Sequence, residues 1–221
     1  MNQVDQREQL VQGYRELSAA GLGTGSSGNL SVRAYDGMLI TPTGIAPQAL
    51  EPGQAVAMSL AGDVAEGQLR PSSEWQLHAA IYTARPDVHA VVHCHSRYAT
   101  ILACAHRTIP ALHYMIAITG VDEIPLAPYA TFGTPALAEA VVAGLGEGGA
   151  CLLANHGQLA AATNLAQALR IAREVEELAA MYWGCLAIGG GNILTGDAME
   201  EVRAAFATYG QQAAQDVPDN T

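Results

Sequence analysis

Apolar residues near the start of the chain, Leu10, Val11, Tyr14 and Leu17, recur at three- and four-residue spacing, which predicts an amphipathic helix closing near Gly21. The side-chain-poor run Gly23-Thr24-Gly25-Ser26-Ser27-Gly28-Asn29 follows. Two short apolar segments, Leu30 to Arg33 and Met38 to Thr41, then flank Asp36-Gly37, a hairpin pattern. Another strand is expected from Ala55 to Leu60. Pro71-Ser72-Ser73-Glu74 opens a helix with Leu77 and Ile81 on its apolar side, Ser72 or Ser73 as N-cap and Glu74 in the first turn.

Pro86-Asp87 ends that helix, and Val88 to His95 is β-branched enough for a buried strand. A helix is expected from about Tyr98, an extended stretch from Ile124 to Ala127, and a helix from Thr134-Pro135 to about Leu145. Ala150 to Ala154 and Leu159 to Ala162 read as strands interrupted by Asn155-His156-Gly157. Asn164 caps the longest helix, with Leu165, Leu169, Ala172, Val175 and Ala179 on one face. Asp197-Ala198-Met199-Glu200 resembles a capping box for the last helix, and a loose tail is expected from about residue 211. Short strands mixed with helices imply a layered α/β fold with a central, mainly antiparallel sheet flanked by helices. No repeat or linker divides the 221 residues, so residues 1–221 are expected to form one domain.

Composition narrows the chemistry. A formal charge of −11 argues against nucleic acid or an anionic membrane as partner, because both need clustered cations; a small molecule is the expected ligand. All ten basic residues are arginines. Without lysine the chain can form no Schiff base and no Walker-type phosphate loop, so electrophilic catalysis would need a metal. Cys94, Cys104, Cys151 and Cys185 are widely spaced in apolar surroundings and are expected to be reduced, buried thiols of a cytoplasmic protein. No apolar run is long enough for a membrane span.

His93 and His95 lie two apart in a predicted strand, so both imidazoles should share a face. His156 sits where Asn155 and Gly157 break an apolar strand. Three imidazoles with one open position make up a catalytic zinc site. Glu74 stands at a helix start whose hydroxyls and free backbone donors suit a phosphate or another anion, with Gly28-Asn29 and Thr43-Gly44 as further donors. Plainer readings stay open for each: surface histidines, a glutamate that only complements the helix dipole, and glycines required by tight turns.

Five motifs occur in order: Ser26-Ser27-Gly28-Asn29-Leu30-Ser31, Thr41-Pro42-Thr43-Gly44, Pro71-Ser72-Ser73-Glu74, His93-Cys94-His95 and Asn155-His156-Gly157. Together they resemble the class II aldolase/adducin family, and the resemblance covers about residues 5 to 210. The resemblance implies that His93, His95 and His156 hold Zn²⁺, with Glu74 bordering the metal as acid/base. It further implies a phosphate pocket of Gly28, Asn29, Thr43, Gly44, Ser72 and Ser73. Tyr114 and Tyr209 match tyrosines supplied by a neighbouring subunit of a homotetramer with its sites at subunit interfaces, and Phe132 and Phe206 match aromatics on the aldehyde side, although packing explains either equally well. His113 is expected to be packing. The implied reaction is reversible aldol cleavage of a ketose 1-phosphate, such as L-fuculose 1-phosphate, to dihydroxyacetone phosphate and an aldehyde such as L-lactaldehyde. In that reaction Glu74 would move the proton at the donor carbon and Tyr114 the proton on the aldehyde-derived oxygen.

Other members of the same family act on methylthioribulose or deoxyribulose phosphate as aldolase or dehydratase, and others epimerise pentulose phosphates at C4. The epimerases typically carry aspartate where Glu74 stands, which lowers that option. A non-catalytic, adducin-like interaction module is the reading from a different class; it would keep the fold and lose the metal ligands, all of which are present here.

Overall fold

A computed structural model describes residues 3–23, 25–34 and 36–206. In chain order the elements are α1 (Gln3–Ala19), β1 (Asn29–Ala34), β2 (Gly37–Ile40), β3 (Val56–Ser59), α2 (Trp75–Ala84), β4 (Ala90–Cys94), α3 (Arg97–Cys104) and β5 (Ile109–Pro110). They continue with β6 (Glu123–Ile124), β7 (Leu126–Ala127), α4 (Pro135–Leu145), β8 (Ala150–Leu153), β9 (Gly157–Ala162), α5 (Leu165–Ala187) and α6 (Gly196–Phe206). Seven strands form one sheet in the order β3-β2-β1-β4-β9-β8-β7, antiparallel at every pairing except β7 with β8. β5 and β6 pair separately.

Strand alternation divides the interior into two cores. Leu30, Val92 and Leu152 face α1, α3 and α5, where they meet Leu10, Tyr14, Leu102, Leu169 and Val175. Their neighbours Val91, Leu153 and Leu159 face the opposite way, onto Leu77 and Ile81 of α2 and Leu137 and Val141 of α4. The expected layers are therefore present, with the sheet in the middle.

Register then assembles one end of the sheet. Asn29 at the start of β1 lies opposite His93 of β4, and His93 lies opposite Leu159 of β9. Asn29, Ser31, Val91 and His93 thus share the face covered by α2. Two glycines permit the close approach of backbone here. Gly28 has φ +88°, and a Cβ on it would lie 3.0 Å from the His93 carbonyl. A Cβ on Gly157 would lie 2.5 Å from the Cys94 carbonyl and 2.9 Å from the His95 ring.

Local expectations hold where the cap is made within the chain's own turn. Thr134 and Asn164 accept the Leu137 and Gln167 N–H groups and start α4 and α5 where expected. Two caps differ. α2 begins at Trp75 with Glu74 as the capping residue; Ser72 Oγ accepts the Glu74 N–H (3.3 Å) and its carbonyl accepts the Trp75 N–H (3.1 Å), so neither Ser72 nor Ser73 is the N-cap. α6 is capped by Thr195, whose hydroxyl accepts the Ala198 N–H (3.3 Å), so Asp197 sits in the first turn instead of heading a capping box. β4 ends at Cys94, which leaves His95 one residue beyond the strand. All four cysteines are free, but only Cys94 and Cys151 are buried; Cys104, at the last turn of α3, is exposed and Cys185 is half-buried. The expected tail and Tyr209 lie outside the described residues.

Gly157 links sheet packing to the histidines, so Gly157→Ala is expected to cost about 1–3 kcal/mol through overpacking. A lower urea midpoint with unchanged slope checks it; an unchanged midpoint would mean that β4 and β9 have room for the methyl group.

Candidate active site

The end of the sheet gathers four ligand-bearing side chains. His93 comes from β4, His95 from the residue after that strand, His156 from the turn joining β8 to β9, and Glu74 from the start of α2. Their ligand atoms all lie within 4.8 Å of one another. His93 Nε2 is 3.1 Å from His95 Nε2 and 3.2 Å from Glu74 Oε2, while His156 Nε2 is 3.2 Å from Glu74 Oε1. The three ring centroids are 4.8–5.0 Å apart.

This donor set fits a divalent transition metal, because three imidazole nitrogens and one carboxylate oxygen converge on one point. Two observations support the fit. Glu74 Oε1 is buried and has no hydrogen-bond partner, its approach to His156 being at ion-pair distance only. His93 Nδ1–H donates to the Gln158 backbone carbonyl (2.9 Å), which sets the tautomer that turns Nε2 toward the other ligands.

Electrostatics follow the burial. Burial opposes ionisation of Glu74, yet the positive charge of His93 and the close approach of the His156 and His93 imidazoles outweigh it and hold the carboxyl well below the usual range. Burial likewise opposes charging of His93, and the Glu74 charge and hydrogen bond prevail to raise it. His95 is pushed down to about 4 by burial and by its two imidazole neighbours. At neutral pH it is uncharged, the form in which an imidazole can ligate a metal.

A cleft of about 390 Å³ opens beside the cluster. Gly28, Asn29, Thr43, Gly44, Ser72 and Ser73 line it together with Glu74, His95 and His156. The motifs thus converge in space. Not every group is free to receive a ligand: the Thr43 and Ser72 N–H groups already donate to the Arg70 and Thr41 carbonyls, and the Asn29 amide donates to Glu74 Oε2 (3.0 Å). Phe132 lines the same cleft and is 64% exposed. Tyr114 does not line it. That residue begins a 3₁₀ turn, Tyr114–Thr119, and its ring packs on His113 and Phe206 while remaining 44% exposed. His113 accepts the Met115 N–H, in keeping with a packing role.

Several neighbours of the site escaped the sequence reading. Tyr129 lines the cleft from the loop after β7, where no periodicity marks it. Asn155 also lines it, at φ +54°, held by His106 Nε2–H donating to its Oδ1 (2.7 Å). Behind Glu74 lie His78 and Tyr82, both buried. Their spacing of four residues, Glu74, His78, Tyr82, is a one-face helical stripe that the sequence did display.

Residues 8–183 match the family model for the class II aldolase and adducin N-terminal domain. A 5-methylthioribulose-1-phosphate/5-deoxyribulose-1-phosphate aldolase of Rhodospirillum rubrum is 46% identical over 207 residues, covering 94% of this chain and 93% of its own length. The L-fuculose phosphate aldolase of Escherichia coli is 46% identical over 203 residues, 91% of this chain and 94% of that protein. A solved L-fuculose 1-phosphate aldolase superposes with a TM-score of 0.88 at 38% identity, over 92% of this chain and 96% of that one. With the motifs, the layered fold and the histidine–glutamate cluster, these likenesses establish that the chain belongs to the class II aldolase and adducin N-terminal domain family and, within it, is a metal-dependent class II aldolase, a carbon–carbon lyase.

Proposed function

We propose that this aldolase reversibly cleaves a ketose 1-phosphate, L-fuculose 1-phosphate or a close analogue, to dihydroxyacetone phosphate and a short aldehyde such as L-lactaldehyde, with zinc as its metal. The observation that carries the reading is the convergence of Glu74 with His93, His95 and His156 at the wall of a cleft lined by hydroxyls and glycines. A bound divalent cation supplies Lewis-acid stabilisation of negative charge developing on substrate oxygens. His93, His95 and His156, with Glu74, would hold it.

The remaining roles belong to the chain. Glu74 takes and returns the proton at the donor carbon, with Oε2 held by Asn29 and Oε1 without a hydrogen bond. The phosphate is received by the Thr43, Ser72 and Ser73 hydroxyls and by backbone at Gly28 and Gly44, with Asn29 bordering them. Neutral donors suit a chain without lysine. Tyr114 moves the proton on the aldehyde-derived oxygen in the cleft of a neighbouring copy, as would Tyr209, in a cytoplasmic homotetramer. An exposed Tyr114 ring outside its own cleft supports that arrangement.

A second substrate reading has equal support, since the Rhodospirillum rubrum relative named for methylthioribulose and deoxyribulose phosphates is as similar as the fuculose phosphate relative. Both readings share dihydroxyacetone phosphate as product and an aldehyde ending in a methyl or thioether group. Phe132 and Tyr129 at the cleft suit such an apolar end.

Purified protein of measured metal content is expected to release dihydroxyacetone phosphate from L-fuculose 1-phosphate, to stop on chelation and to recover with zinc. Release only from 5-deoxyribulose or methylthioribulose 1-phosphate would select the second reading, and release from none of them would contradict both. Zinc affinity of the stripped protein is expected to rise with pH. A metal needs a neutral imidazole, and the raised pKa of His93 means that below it a proton competes, at about tenfold in affinity per pH unit. A pH-independent affinity between pH 5 and 7, by competition with a chelating dye, would count against His93 as a ligand.

A further inference from the structure

From Asn29 at the cleft wall, a chain of buried polar side chains runs inward behind Glu74. Asn29 Nδ2 donates to Glu74 Oε2 at 3.0 Å, and Asn29 Oδ1 lies 2.5 Å from His78 Nε2. His78 Nδ1 lies 2.7 Å from Ser31 Oγ, which is 2.7 Å from the Tyr82 hydroxyl. Asn29, Ser31, His78 and Tyr82 are each at most 5% exposed. The far end is anchored by Arg33, whose guanidinium lies 4.8 Å from the Tyr82 ring centre and donates to the Tyr82 carbonyl (2.7 Å).

Hydrogen-bond chemistry sets the direction of this chain from the carboxylate outward. An ionised Glu74 only accepts, so Asn29 must turn its NH₂ toward it and its oxygen toward His78. An amide oxygen only accepts, so His78 must carry its proton on Nε2. Burial keeps His78 neutral, with its pKa pushed down to about 3, so Nδ1 is bare and accepts from Ser31. The Ser31 hydroxyl proton is thereby engaged, and Tyr82 must donate to Ser31 Oγ. Each step leaves one orientation, and each orientation depends on the one behind it.

We infer that His78 is a positioning residue of this aldolase: through its Nε2–H it prevents the Asn29 amide from flipping, and so keeps an N–H donor on Glu74 Oε2 and leaves Oε1 as the oxygen that handles the proton. The inference rests on reading Glu74 as the base. Without the His78 donor, Asn29 is free to present its oxygen to a buried carboxylate, and two acceptors then face each other with no proton between them. Ser31 and Tyr82 act one step further back, by reserving His78 Nδ1 as an acceptor.

The polarity is read directly by ¹⁵N NMR of zinc-loaded protein labelled at histidine, with the His78 signals identified by their loss in His78→Gln. The expected result is the Nε2–H tautomer with unprotonated Nδ1. An Nδ1–H tautomer reverses the chain and overturns the inference, whether or not the protein cleaves any ketose phosphate. Exchange of the dihydroxyacetone phosphate methylene proton with solvent supplies the second arm. His78→Leu is expected to lower its kcat roughly 10- to 100-fold, with zinc content unchanged and KM within about twofold. His78→Gln, which keeps an N–H donor within reach of Asn29, is expected to stay within about threefold of the parent, and His78→Leu added to Asn29→Ala to lose nothing further. Equal losses in the leucine and glutamine variants, or a further loss on top of Asn29→Ala, would make His78 a packing residue and overturn the inference. A parent protein with no exchange would instead reject Glu74 as the base, and the NMR arm would still decide the polarity.

Discussion

A carboxylate that is 7% exposed is the constraint around which this site is arranged. Removing the Glu74 charge from water costs several kcal/mol unless it is compensated nearby. Compensation comes from every adjoining element: His93 from β4, His156 from the β8–β9 turn and the Asn29 amide from β1. The cost of burying the charge and the reason we propose for burying it have one origin, because a carboxylate shielded from water and surrounded by imidazole nitrogens is suited both to hold a metal and to act as a positioned base. The sheet register makes this arrangement possible by setting Asn29 opposite His93.

The proposed phosphate site rests on neutral donors in the same way. The chain has ten cations, none of them lysine, against twenty-one acidic residues, and among the described residues no arginine lines the cleft. Hydroxyls and glycine backbone line the cleft's wall instead. Such donors can bind an anion without adding a positive charge beside the three clustered histidines, whose neutral form is the one that would ligate a metal.

Much of this was legible in the sequence, and the pattern of successes has a physical cause. His93-x-His95 and Asn155-His156-Gly157 were readable because strand period and strand breaks are local properties, and Asn164 and Thr134 were readable because a cap bonds its own first turn. The α2 and α6 caps were misplaced by one or two residues. Ser72 uses its hydroxyl on the Glu74 N–H, and the Glu74 carboxylate turns to Asn29, 45 residues away, so the choice is made by tertiary partners. The His78 chain escaped for the same reason: a histidine on an apolar helix face reads as packing until Asn29 and Ser31 arrive from β1. Tyr114 shows a third limit, since its own chain leaves it exposed and away from the cleft.

We propose Glu74 as the base of this metal-dependent aldolase, beyond its place among the residues that would hold the metal. The most direct test is deuterium incorporation at the methylene carbon of dihydroxyacetone phosphate by zinc-loaded Glu74→Gln, an isosteric change that keeps a hydrogen-bonding partner for Asn29. Retained zinc with incorporation slowed by about 10²- to 10⁴-fold is the expected result. Incorporation at the parent rate, with zinc in place, would exclude Glu74 as the base.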